Sequence, residues 1–126
     1  MENKWKNQNF FKAFQNALNG IGYTCKTQRN IKIQILFALS AIVLGIVLKI
    51  TSVEWMILIL TIFLVFITEL LNTAIETVVD LYTTEYNEKA KIAKDVSAGA
   101  VTLMAICSVV IGIFLFGARI INLIIK

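Results

Sequence analysis

A chain of 126 residues that is 58% hydrophobic, with mean hydropathy +0.78, is far more apolar than a soluble domain, whose apolar share is about 45–50%; a soluble globular class is excluded. The net charge of +4 reads as membrane topology and attraction to anionic lipid, not as nucleic-acid binding. His is absent, which removes the commonest general base and metal ligand and leaves carboxylates for such work.

In chain order, the first element is an amphipathic helix over about residues 5–27. Phe10, Phe11, Phe14, Leu18 and Ile21 recur at helical spacing, with Lys12, Gln15, Asn16 and Asn19 on other sides, the pattern of a helix lying in the cytoplasmic interface. It is either a flank that snorkels its lysines or a lid over a site at the membrane surface. No clean apolar stretch followed by a small-residue cleavage site precedes residue 30, so the first span is expected to serve also as the targeting signal. Three transmembrane helices follow, over about residues 31–50, 54–82 and 94–121, each near the ~20 residues a span needs. Pro is absent, so no ring forces a kink.

Their connections are short, about residues 51–54 and 83–95, and the whole reads as one membrane-embedded domain, 1–126. Lys4, Lys6, Lys12, Lys26, Arg29, Lys32, Lys89, Lys91 and Lys94 fall before the first span or between the second and third. Only Lys49, Arg119 and Lys126 fall on the other side. Nine against three puts the N-terminus and the second loop in the cytoplasm. Cys25 and Cys107 are then far apart, in a reducing compartment and in lipid, where neither a disulfide nor a sulfur metal site is expected.

The second span carries the chemistry. Behind the uncharged run 55–68 comes ELLNTAIETVVDLY, residues 69–82. At about 100° per residue, Glu76 and Asp80 lie roughly 20° to either side of Glu69, with Asn72 about 60° away. All four share one face. At about 1.5 Å per residue, Glu69 lies roughly 21 Å from Trp55 and Asp80 about 16 Å beyond it, so the row starts inside the cytoplasmic half of the bilayer and runs out of it. An ionisable group in hydrocarbon costs roughly 2.5–3.5 kcal/mol; Glu69 must face protein or water. Glu76 and Asp80 read equally as the solvated end of a long helix. Aligned carboxylates also invite a cation, and Mg²⁺ suits one or two carboxylates plus substrate phosphates. A carboxylate deeper in the membrane can act as general base toward a hydroxyl presented from the lipid.

A second cluster, KAKIAKDVSAGAV (residues 89–101), opens the third span. Asp95 there can cap the helix, Lys94 can snorkel, and the small residues from Ser97 to Ala100 can let helices pack closely. Set opposite the carboxylate row, Lys94 is also placed to neutralise phosphate. Neither a P-loop nor a G-x-G-x-x-G loop is present, so a nucleotide site would be of an unrelated kind. A small proton-coupled transporter would share a membrane carboxylate, but would be expected to have four spans and a carboxylate nearer midplane. A purely structural membrane protein would need neither Glu69 nor Asn72.

ELLNTAIETVVD resembles the pattern E-x-x-N-[ST]-A-[IL]-E-x-x-[VI]-D of the small prokaryotic diacylglycerol kinase family, and AKDVSAGAV is similar to its A-K-D-x-[AGS]-[AS]-[AG]-A-V. The resemblance covers nearly the whole chain. It implies an all-α integral membrane fold, a surface helix plus three spans in a homotrimeric bundle, and ATP-dependent phosphorylation of a lipid hydroxyl at sites shared between subunits. A trimer would also answer how so few spans could enclose a polar group. Carried over by position, Glu69 is the catalytic base and Glu76 holds Mg²⁺. Asn16, Glu85, Tyr86, Asn87, Lys94 and Asp95 contact the nucleotide, Asn72 and Asp80 complete the polar face, and Ala98 joins Glu69 at the lipid substrate.

Within the family, SAGAV and TQRNIKI (residues 27–33) look more like the Gram-positive branch, which implies undecaprenol as the acceptor, with diacylglycerol as the alternative, in the bacterial cell (inner or plasma) membrane. One departure stands out: Gln28 occupies the position where the family pattern has Glu, its second metal ligand. An amide keeps an oxygen donor but loses the charge that favours Mg²⁺. Either Gln28 is a substitution that holds substrates unreacted, the favoured reading, or the chain works with a weaker metal site; slow turnover or none is expected.

Overall fold

The structure, a computed structural model, describes residues 9–126. Among the described residues there are four helices and no strand. The first, α1 (Phe10–Thr27), starts where the Asn9 side chain accepts the Lys12 N–H at 2.9 Å; the expected surface helix began at about residue 5, and residues 5–8 lie outside the described residues. Gln28, extended at φ −94° and ψ 120°, separates α1 from α2 (Arg29–Val47). One residue therefore makes the elbow between α1 and the first span.

The first span stops earlier than the expected residue 50. Lys49 enters the left-handed region at φ 51°, the backbone state that commonly ends a helix, and the Ile50 N–H reaches back to the Gly45 carbonyl at 3.1 Å. Ile50 thereby turns inward and is buried. Gly45 is required there by close approach: a Cβ on it would lie 2.8 Å from Cη2 of Trp55.

The second span, α3 (Ser52–Tyr82), opens with a capping box. Thr51 Oγ1 accepts the Glu54 N–H at 3.3 Å, and Glu54 Oε2 accepts the Thr51 N–H at 2.7 Å, which satisfies two of the donors left over at a helix start. At 31 residues it is about 46 Å long, more than the ~30 Å hydrocarbon core, so one end must project.

The third span, α4 (Glu88–Ile125), begins well before residue 94, and the second connection shrinks to residues 83–87. Asn87, not Asp95, is its cap, accepting the Ala90 N–H at 3.1 Å. Hydropathy falls across EKAKIAKD, but helix propensity does not, and Lys91 and Asp95 support the turn as an i,i+4 ion pair.

The antiparallel α3–α4 pair is the principal contact; α2 packs mainly on α3, and α1 touches α2 and α3. The apolar core of Ile50, Leu58, Leu115 and Phe116 gathers at the end where α2 turns into α3. At that same end Arg119 donates from Nη1 to Glu54 Oε1 at 2.8 Å and from Nη2 to Oε2 at 2.9 Å. Elsewhere large apolar side chains point outward, with Phe37 71% and Phe114 82% exposed, far more apolar surface than a soluble monomer tolerates. The helices α2, α3 and α4 are each long and apolar enough to cross a membrane.

Candidate functional site

At the opposite end of α3 the buried side chains are polar. Glu69 is 0% exposed, and Asn72, Thr73 and Ser97 are buried beside it. Thr73 donates its hydroxyl to the Glu69 carbonyl at 2.9 Å, which settles the threonine within its own helix and leaves the Glu69 carboxylate to find partners on another. It finds one on α2: Gln34 Nε2 donates to Glu69 Oε2 at 3.1 Å. Glu69 Oε1 and Gln34 Oε1 are both buried without a hydrogen-bond partner among the described residues. The Glu69 side chain is enclosed within one chain once α2 supplies an amide from the side, while Glu76 is half-buried and Asp80 exposed.

One turn further along, Asn72 links two helices. Ser97 Oγ on α4 donates to Asn72 Oδ1 at 2.7 Å, and Asn72 Nδ2 donates to Glu76 Oε1 at 3.2 Å. With its oxygen engaged by Ser97, the amide presents its N–H₂ toward Glu76 Oε1, a donor meeting an acceptor. Beyond it, Lys94 Nζ pairs with Asp80 Oδ1 at 2.6 Å. Each acid of the row thus has its own partner: amide, amide, ammonium. Repulsion along the row is relieved one group at a time.

The remaining predicted residues are more scattered. Asn16 is exposed on α1, and Asp95 pairs with Lys91 on the exposed face of α4. Glu85, Tyr86 and Asn87 occupy the connection between α3 and α4, all exposed; the Glu85 N–H donates to Thr83 Oγ1 at 3.1 Å, a turn that keeps the connection short. Ala98 is exposed on α4. Gln28 stays at the elbow, makes no side-chain cap bond, and is joined to Glu76 by no hydrogen bond among the described residues.

Glu76 accepts from Asn72 through one oxygen, so the other remains a hard donor. The Gln28 amide oxygen is of the same hard type, and both suit Mg²⁺ by donor chemistry. No group of three or more His, Cys, Asp or Glu side chains stands together among the described residues, so an ion held here would depend on substrate oxygens for much of its shell.

Two residues of this site were not anticipated. Ser97 was read only as part of a small-residue run, and Gln34 not at all. A lone amide inside an apolar span was the available signal, since such groups in hydrocarbon need a partner. Gln34 also lines a cavity of about 620 Å³ between α2, α3 and α4, whose walls include Phe37, Leu58, Phe66 and Val109. Glu69 is not among its lining residues.

A multi-pass helical membrane protein with a fully buried carboxylate on its second span is the class these features define. Residues 15–116 match the family described as prokaryotic diacylglycerol kinase. The chain is 43% identical over 107 residues to the undecaprenol kinase of Bacillus subtilis, covering 85% of this chain and 87% of that protein. It is 42% identical over 113 residues to a diacylglycerol kinase of Synechocystis, covering 88% and 65%. To the diacylglycerol kinase of Escherichia coli K12 it is 39% identical over 72 residues, covering 57% and 59%. The chain belongs to the prokaryotic diacylglycerol kinase family.

Proposed function

We propose that the chain acts as a single membrane-embedded lipid kinase domain that transfers the γ-phosphoryl group of ATP to the hydroxyl of undecaprenol, yielding the carrier-lipid phosphate used in cell-wall synthesis. The observation that carries the reading is Glu69: a fully buried carboxylate, held by an amide at one oxygen and unpartnered at the other, in a chain of a kinase family. A general base needs an oxygen free to take the proton, and Glu69 Oε1 is such an oxygen.

Glu69 takes the hydroxyl proton as the alcohol oxygen attacks the γ-phosphorus, and the bond to the departing ADP oxygen breaks. Lys94 leaves Asp80 for the phosphates, while Asn16, Glu85, Tyr86, Asn87 and Asp95 contact the nucleotide from the cytoplasmic side. Glu76 and Gln28 would hold Mg²⁺, which supplies positive charge against the phosphate oxygens when bound. Asn72 and Ser97 orient Glu76. The apolar chain of the lipid lies in the cavity beside Gln34, with Ala98 near its mouth. We place the N-terminus and the second connection in the cytoplasm of a bacterial inner or plasma membrane, α1 in the interface, and the working unit as a homotrimer.

The choice of undecaprenol rests on the forms SAGAV and TQRNIKI and on the likeness to the Bacillus protein across most of both chains. Diacylglycerol is the second reading, favoured by the Synechocystis relative at almost equal identity. Transfer of labelled γ-phosphate from Mg-ATP to each lipid in separate mixed micelles tests both, using the chain as it stands and with Gln28→Glu. The expected outcome is faster labelling of undecaprenol and a gain in rate and Mg²⁺ affinity in Gln28→Glu. Preference for diacylglycerol would replace the substrate, and no labelling of either lipid by Gln28→Glu would refute the kinase reading.

A further inference from the structure

We infer that Gln34 is a positioning residue for Glu69, fixing which carboxylate oxygen takes the lipid proton and accepting a hydrogen bond from that acid once it is protonated; this rests on the proposed role of Glu69 as proton acceptor. The geometry has three parts. Gln34 Nε2 donates to Glu69 Oε2 at 3.1 Å, so that oxygen is occupied. Glu69 Oε1 and Gln34 Oε1 are both buried and unpartnered, although buried acceptors in folded proteins are nearly always paired. Both atoms are acceptors with no partner among the described residues, and an alcohol O–H is a donor. Finally, Gln34 lines the cavity between α2, α3 and α4 while Glu69 does not, so the amide is the contact between the space open to a long apolar chain and the carboxylate that meets its hydroxyl.

A primary amide carries both a donor and an acceptor on one rotatable end. Before transfer, its N–H₂ holds Glu69 Oε2 and leaves Oε1 to receive the proton. In the step itself the alcohol O–H bond breaks, a Glu69 O–H bond forms, the alcohol oxygen bonds to the γ-phosphorus of ATP, and the bond to the ADP oxygen breaks. Glu69 is then a neutral acid with a proton to donate, and Gln34 Oε1, on the amide already in contact with it, accepts once the terminal torsion turns. The same side chain serves the base in both of its protonation states.

Gln34→Met keeps the length and removes both functions, whereas Gln34→His restores an N–H donor. With either lipid, Gln34→Met is expected to lower kcat about tenfold to a hundredfold, the range for a displaced reacting group, while the KM for Mg-ATP stays within about twofold; Gln34→His recovers most of the loss. An unchanged kcat in Gln34→Met, or a loss that Gln34→His does not restore and that tracks a lower melting temperature, would overturn the inference. A second readout does not need turnover: the infrared carboxyl band that disappears in Glu69→Gln is expected to shift in Gln34→Met and to move back in Gln34→His. An unmoved band overturns the inference even in an inactive protein. Failure of the kinase reading looks different, with the band shifting as expected and no variant labelling lipid.

Discussion

Glu54 and Glu69 stand on the same helix, one half-buried in its first turn and one fully buried further along, and their surroundings are opposite. Glu54 has every oxygen engaged: it closes a capping box with Thr51 and receives two parallel bonds from Arg119, the planar fork that arginine forms best with carboxylate. Glu69 is more deeply buried, is held by a neutral amide, and keeps an oxygen empty. The first arrangement ties the start of α3 to the end of α4 beside the apolar core. The second leaves a buried group under-satisfied, which a fold tolerates where the group has work to do. The two acids differ in depth and, more tellingly, in how far their oxygens are satisfied.

The largest effect is expected at Glu69. Glu69→Gln is expected to lower phosphoryl transfer by about 10²–10⁴-fold, the usual share of a general base, with melting temperature held or raised, because a neutral amide is easier to bury. Next in size is the polar link across α3 and α4. Ser97→Ala frees the Asn72 amide, and the Mg²⁺ concentration giving half-maximal transfer is expected to rise about tenfold, measured by metal titration with Ser97→Thr as the conservative control. At the fastened end, Gly45→Ala pushes a methyl group into the Trp55 ring and is expected to cost about 1–3 kcal/mol of stability, seen in detergent unfolding with little change in lipid preference.

Much of this was legible in the sequence. The three spans followed from hydropathy, and the carboxylate row from the 3.6-residue period of residues 69–82, because both depend only on neighbours along one helix. The partners were not legible. Gln34 meets Glu69 across 35 positions, Ser97 meets Asn72 across 25, and Arg119 meets Glu54 across 65; no local pattern encodes which helix supplies a partner. Arg119 was read as a flanking charge for the same reason. The start of α4 was missed on other grounds, since hydropathy reports where lipid ends while the helix continues through Glu88–Asp95 on its own propensity and its Asn87 cap.

The most direct test sets the two acids side by side: initial rates of lipid phosphorylation and melting temperatures for Glu54→Gln and Glu69→Gln, in the same detergent and in the Gln28→Glu background. The account predicts a lower melting temperature with near-parental rate per folded molecule for Glu54→Gln, and lost transfer with an intact fold for Glu69→Gln. If Glu54→Gln abolished transfer without loosening the fold, or Glu69→Gln kept its rate while unfolding more easily, the division between fastening and chemistry drawn here would be contradicted.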